Sequence, residues 1–313
     1  MNGHPFHKVL NQATKILGEG AVIERLRRDT DFELDPHIVN SAFIYDKPKR
    51  DVLEAIYRQY LDIGRQYNLP MILSTPTWRA SQERISEAGF ARKDINRDNY
   101  LFLDTLRKSY GRYAQKISIC GLMSCRGDAY DPAQALSVGQ AQSFHTWQAE
   151  KLAEAGVDFL LAATLPSLSE ASGLAAALSA TGLPYFISFI AHSEGTLIDG
   201  TPFKIAIEEI DTKVSPKPLG YMVNCTHASI FRSALLHEDH SSSLVRQRVC
   251  GLLANTAALK PEELDNSEHL VTEDPETFGQ SVANLNKDLG IKILGGCCGT
   301  DDRHIRQLAI RLA

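Results

Sequence analysis

No stretch of this chain holds enough consecutive apolar residues to cross a bilayer. Its first residues, Met1-Asn2-Gly3-His4-Pro5-Phe6-His7-Lys8, carry none of the apolar core of a secretory leader. Neither a membrane nor an export route is expected, and the cytoplasm is the expected compartment. There is no excess of positive charge either: 33 Lys and Arg stand against 38 Asp and Glu, a formal charge of -5 without a basic cluster. Nucleic acid and anionic membrane surfaces are thereby disfavoured, which leaves small molecules as partners. Cysteine is sparse, 6 in 313 residues, too few for a disulfide scaffold, and in a reducing compartment such thiols stay available to a metal. Internal repeats, low-complexity segments and linkers of biased composition are missing as well.

What the chain does have is two strand ends that terminate in thiols. The run Ile291-Lys292-Ile293-Leu294-Gly295-Gly296-Cys297-Cys298-Gly299-Thr300 reads as a buried strand that stops at two glycines, with a helix starting just beyond the cysteines. Adjacent cysteines do not close an unstrained disulfide. Two readings of the pair stand: thiolates sharing one thiophilic metal, or small buried residues packing between strand and helix. The same plan recurs upstream in Gly220-Tyr221-Met222-Val223-Asn224-Cys225-Thr226-His227. Three cysteines from two strand ends leave one tetrahedral position of a zinc ion open, as in catalytic sites. Cys120, Cys125 and Cys250 read as core or subsurface residues.

Gly-Gly-Cys-Cys-Gly-Thr after a strand, with Val223-Asn224-Cys225-Thr226 well upstream, resembles the homocysteine S-methyltransferase family. That family includes enzymes using betaine or S-methylmethionine and the homocysteine module of methionine synthase. The resemblance implies a zinc-dependent enzyme with Cys225, Cys297 and Cys298 as metal ligands, catalytic through the metal. It implies methyl transfer from an onium donor such as S-methylmethionine to a small-molecule thiol, homocysteine first, giving methionine. The Gly295-Gly296 pair is expected to let the backbone approach the metal closely.

Helical periodicity appears over residues 49–67, 82–110 with a break at 89–96, 132–155, 168–181, 203–213, 229–238, 242–249, 273–289 and 301–312. Between these lie apolar segments: a first strand and loop within 10–28, then 70–74, 116–122, 157–166, 184–190, 220–225, 251–256 and 291–296. The length allows two average domains or one large barrel. Even alternation, counted with the help of the resemblance, favours a single-domain (β/α)8 TIM barrel over 1–313, with strands six and eight opening onto one face.

The remaining expectations come from matching the family's motifs. Glu19-Gly20 stands where the family carries an acid that binds the amino acid substrate; read alone, Glu19 is equally a solvated loop carboxylate. Thr75-Pro76-Thr77-Trp78-Arg79 occupies the place of a Thr-Asn-Thr run before an aromatic residue, so Trp78 is either a pocket wall with a cation-π face or a loop aromatic over the core. Asn224, beside Cys225, and Asn255 on strand seven match family positions; Asn224 joins Glu19 and Trp78 as a substrate-binding expectation. Ala163-Thr164-Leu165-Pro166 departs from Glu-Thr-Ile-Pro: the acid that holds the substrate ammonium is Ala163 here. A lost charged hydrogen bond of about 1.5–3 kcal/mol follows unless another acid such as Glu19 substitutes. The alternatives are a different acceptor thiol or selenol, or a zinc- and thiol-binding protein of the same fold that has lost transferase activity.

Overall fold

The computed structural model describes residues 5–238, 242–259 and 272–313. Eight parallel strands close on themselves: β1 (Ile16–Gly18), β2 (Met71–Ser74), β3 (Ile117–Ser124), β4 (Phe159–Leu165), β5 (Tyr185–Phe189), β6 (Gly220–His227), β7 (Val249–Asn255) and β8 (Ile293–Gly296). Each pairs with the next, and β8 returns to β1 through Ile293 beside Ile16 and Leu294 beside Leu17. The expected (β/α)8 barrel is present.

Helices cover the outside of the barrel, and their ends follow from capping residues. Asp46 accepts from Lys49 N at the start of α3 (Lys47–Gln66), after α1 (Pro5–Gln12) and α2 (Ile23–Asp29). Next come α4 (Gln82–Glu87), α5 (Ile95–Lys108), α6 (Val138–Ala155), α7 (Leu168–Ala180) and α8 (Phe203–Lys213). Then follow α9 (Ala228–Leu236), α10 (Ser243–Arg248), α11 (Pro275–Leu289) and α12 (Asp302–Leu312). The long helix expected over 132–155 begins later, because Ser137 and Gln140 form a capping box and Pro132–Gln134 makes only a 3-10 turn. Strands buried on both faces explain why their sequences lack clean alternation.

Alternate strand residues face two cores. Leu17, Leu73, Ile119, Leu160, Val223 and Leu294 point outward against the helices, whereas Ile72, Phe159, Leu161, Phe186, Met222 and Ile293 fill the lower barrel. Periodicity did not reveal α1, and it closes that lower end. Phe6 is 1% exposed; its ring stacks on Phe159 at 4.0 Å and meets Phe186 edge-on at 6.1 Å. Lys292 Nζ donates to Leu10 O at the end of the same helix. The upper end is left as the open one.

Two strands bend out of register near that open end. The β4–β5 pairing shifts between Ala162 and Leu165, and the β6–β7 pairing shifts between Asn224 and Thr226. Each bulge contains a left-handed residue that is not glycine: Thr164 at φ 57° and Cys225 at φ 52°. Conformations of this kind cost about 1–3 kcal/mol each and persist where surrounding contacts over-determine them. Phe6→Ala removes the bottom plug, and a loss of about 3–5 kcal/mol is expected in denaturant unfolding; a change below 1 kcal/mol would mean that the lower core seals without it.

Candidate active site

The sulfurs of Cys225, Cys297 and Cys298 lie within 4.8 Å of one another, although 72 positions separate the first from the second. Cys225 Sγ is 2.7 Å from Cys297 Sγ, and the Cys297 and Cys298 sulfurs are 4.0 Å apart. Cys225 is buried, Cys297 half-buried and Cys298 exposed. The turn that carries the pair is tied to both neighbouring strands. Cys297 N donates to Ala254 O at 2.6 Å, Gly296 N to Glu19 O at 2.8 Å, and Thr256 N to Cys298 O at 3.1 Å. Gly299 N is held by the Glu24 carboxylate, and Thr300 Oγ1 donates to Cys297 O at 2.6 Å while accepting from Ala21 N at 3.0 Å.

The two glycines before the cysteines have a packing reason that the sequence did not show. A Cβ on Gly295 would press on Gly18 Cα at 2.7 Å and Leu253 Cδ2 at 2.9 Å, and one on Gly296 would overlap the Thr300 side chain. They allow β8 to close against β1 and the turn to fold over Thr300.

The donor set suits a soft divalent ion. All three thiols are pushed well above the ordinary thiol range: hydrogen bonds among the three sulfurs act on each in opposing directions, and burial adds an upward push. Three anions cannot share so small a volume without a cation, so a cation bound there would replace the thiol protons. Three converging sulfurs are the donor set that a thiophilic ion selects. His227, two residues beyond Cys225, stays out of the cluster. Its Nδ1 accepts from Ser229 N at 3.2 Å as it caps α9, and Nε2 faces Glu273 at 3.4 Å.

Asn224 underpins the buried ligand. Its Oδ1 accepts from Thr164 N at 2.9 Å and Ser188 Oγ at 2.7 Å, which turns Nδ2 toward Cys225 Sγ at 3.4 Å. An amide donor on a metal-bound sulfur spreads its charge and holds its direction. Asn255 Nδ2 donates to Cys225 O at 3.2 Å and braces the bulge from β7.

Above the cysteines opens a cavity of about 580 Å³ whose lining includes Glu19, Tyr57, Trp78, Ala163, Thr164 and Leu253. All three residues expected to bind substrate, Glu19, Trp78 and Asn224, line it. Glu19 is 9% exposed and so is not a solvated loop acid. Both its oxygens accept from Ser74 N at 3.2 Å, and Tyr57 Oη holds Ser74 O at 2.8 Å. Burial pushes the Glu19 carboxyl up to about 8, against the opposing pull of the Ser74 hydrogen bonds. Ala163 leaves the β4 wall without an acid. The Trp78 indole donates from Nε1 to Thr164 Oγ1 at 3.0 Å, and the Arg79 guanidinium lies 4.5 Å from the ring centre. Arg79 is itself pinned by the Gly127 carbonyl at 2.6 Å, so one charge already sits on the indole. Sequence reasoning did not single out Thr164 and Ser188; a backbone bulge has no periodic signature.

A family model described as homocysteine S-methyltransferase matches residues 16–312. The chain is 22% identical to the homocysteine S-methyltransferase YbgG of Bacillus subtilis over 333 residues, covering 98% of this chain and 97% of that protein. It is 24% identical to betaine–homocysteine S-methyltransferase 1 of Bos taurus over 337 residues, covering 97% of this chain and 74% of that one. Among solved structures, the metallated form of the Escherichia coli homocysteine methyltransferase MmuM superposes with a TM-score of 0.75 at 21% identity, covering 98% of this chain and 99% of that one. That likeness concerns the fold.

A carboxyl at about 8 in the folded protein and near 4.5 when exposed supports folding fully below pH 4.5, and its contribution fades as pH rises through 8. Comparing metal-free wild type with Glu19→Gln isolates this term. The wild type is expected to lose on the order of 4 kcal/mol relative to the variant between pH 5 and pH 9 in urea unfolding. Parallel pH curves would show that Glu19 ionises freely.

Proposed function

The chain belongs to the homocysteine S-methyltransferase family, and from that premise we propose that it moves a methyl group from an onium donor such as S-methylmethionine to a thiol, homocysteine first, giving methionine. The observation that carries the reading is the meeting of three sulfurs from two strand ends at the base of a cavity sized for small molecules. Cys225, Cys297 and Cys298 would hold a zinc ion, which would supply a Lewis-acid centre to keep a substrate thiol ionised near neutral pH, where a free thiol of pKa about 8.5 is mostly protonated.

The chain's own residues orient the partners. Asn224 fixes the direction of the Cys225 sulfur. Glu19 faces the cavity as a carboxyl that holds its proton near neutral pH; a bound ammonium stabilises its carboxylate, so an amino acid thiol entering there releases that proton. Trp78 forms a wall on which the methyl donor rests. The acceptor sulfur attacks the methyl carbon in line, the bond to the onium centre breaks, and its electron pair leaves with the donor as a neutral product. The reading treats 1–313 as one catalytic domain in a reducing compartment such as the cytoplasm, where the cluster stays free of oxidation.

A second acceptor reading follows from Ala163. With Ala163 in place of an acid, the β4 wall suits a different thiol or selenol without an ammonium, while Glu19, Glu24 and Asp128 supply the carboxyls of the cavity.

Purified protein is expected to hold close to one zinc per chain by metal analysis, and Cys297→Ala or a strong chelator is expected to lower methyl transfer at least 100-fold. Full activity after either treatment would exclude the mechanism. In a screen of acceptors with S-methylmethionine, homocysteine is expected to lead; a higher kcat/KM for a thiol lacking the amino group would instead select the second acceptor reading.

A further inference from the structure

Between the Cys225 sulfur and the indole wall runs an unbroken line of hydrogen bonds, on which the Thr164 hydroxyl and the Asn224 carbonyl are both saturated. Trp78 Nε1 donates to Thr164 Oγ1 at 3.0 Å. The Thr164 hydroxyl also stands 2.6 Å from Ser124 Oγ and donates to Ala163 O at 2.6 Å. A hydroxyl has one proton and two lone pairs. With the proton on Ala163 O, both acceptor sites are taken by the indole and by Ser124. From the same residue, the backbone N–H donates to Asn224 Oδ1, whose second lone pair is filled by Ser188. The Asn224 amide then has one orientation, with Nδ2 on Cys225 Sγ.

Thr164 can serve both partners only because of its backbone. It is β-branched and left-handed at φ 57° inside the β4 bulge, a conformation that costs energy unless neighbours hold it. Its N–H is directed across β5 to Asn224, while its side chain reaches Trp78 in the loop after β2. Cys225, at the far end, occupies the matching bulge of β6.

We propose that Thr164 is a positioning residue that fixes the Trp78 wall relative to the Cys225 sulfur, through its hydroxyl on one side and its N–H, by way of Asn224, on the other. The role deepens the methyl-transfer reading and rests on it. Attack requires the acceptor sulfur and the methyl carbon to be held at about 3–3.5 Å in line. The two substrates lean on different strands, and this link sets the offset between them. Thr164 touches neither reacting atom.

The test uses the full chain with 5-fluorotryptophan at both tryptophans, Trp78 and Trp147, compared as wild type, Thr164→Val and Thr164→Ser. Valine keeps the branched shape and the N–H but removes the hydroxyl; serine restores the hydroxyl. Adding zinc is expected to move the 19F resonance of Trp78 in wild type and in the serine variant, and to leave it in place in the valine variant. The Trp147 resonance, on α6, reports that each variant is folded. Zinc affinity is expected to stay within about twofold in all three, because the N–H arm survives. Kinetically, Thr164→Val is expected to raise KM for the methyl donor about tenfold with KM for the thiol unchanged, the equivalent of one lost hydrogen bond, and Thr164→Ser to recover it. A Trp78 response to zinc in Thr164→Val equal to that of wild type, or an unchanged donor KM, overturns the proposal. Thr164→Ala, smaller at the same position, takes over if the valine variant does not fold. Should wild type transfer no methyl group from any donor, the methyl-transfer reading fails, while the zinc response still decides whether the link exists.

Discussion

Three sulfur atoms crowded within 4.8 Å of one another set the terms for the upper half of this barrel. Ionised together, they repel; protonated, they bind nothing. A shared cation would resolve the conflict, and the surrounding bonds hold the three sulfurs together. Backbone bonds from β7 and β1 fix the turn that carries Cys297 and Cys298. An amide with its oxygen fully occupied is turned onto Cys225. The strained φ of Cys225 is a cost that makes sense at a site where the direction of a side chain matters more than local comfort.

Acid chemistry in the cavity follows a similar logic. A carboxyl buried beside Ser74, with no cation hydrogen-bonded to it among the described residues, keeps its proton at neutral pH. It therefore costs little to hold while the pocket is empty and becomes an anion only when a positive group arrives. With alanine at 163, the β4 wall offers no acid, and the cavity's carboxyls are Glu19, whose charge is conditional, with Glu24 and Asp128. The difference concerns the acceptor more than the metal, since the sulfur cluster and its backing by Asn224 and Asn255 are complete.

Legibility varied with the kind of signal. The strand ends could be read because glycine, cysteine and threonine in that order break an apolar run abruptly, and that break leaves a mark in one dimension. Most helices were visible from period and caps, and the expected barrel is present. The plug helix from Pro5 to Gln12 was missed: eight residues make too short a period, and its key residue, Phe6, matters through contacts with β4 and β5. Bulges were invisible for another reason. Thr164 and Cys225 lie in strands of ordinary β-forming composition, and their left-handed φ values arise from pairing with neighbours that no local pattern encodes. The packing reason for Gly295 and Gly296 was hidden likewise, because the crowding they relieve comes from Gly18, 277 positions away, and from a threonine folding back.

The seam between β1 and β8 has a temporal meaning as well. During synthesis the ribosome releases β1 early and β8 after the other seven strands, so until the seam closes β1 waits with an unpaired edge. Cys225 emerges alone, and a lone thiol is a poor trap for a metal ion. The strand that completes the ring is the one that delivers the remaining two sulfurs. A nascent chain thus completes its three-sulfur cluster in the same step that removes its last exposed edge.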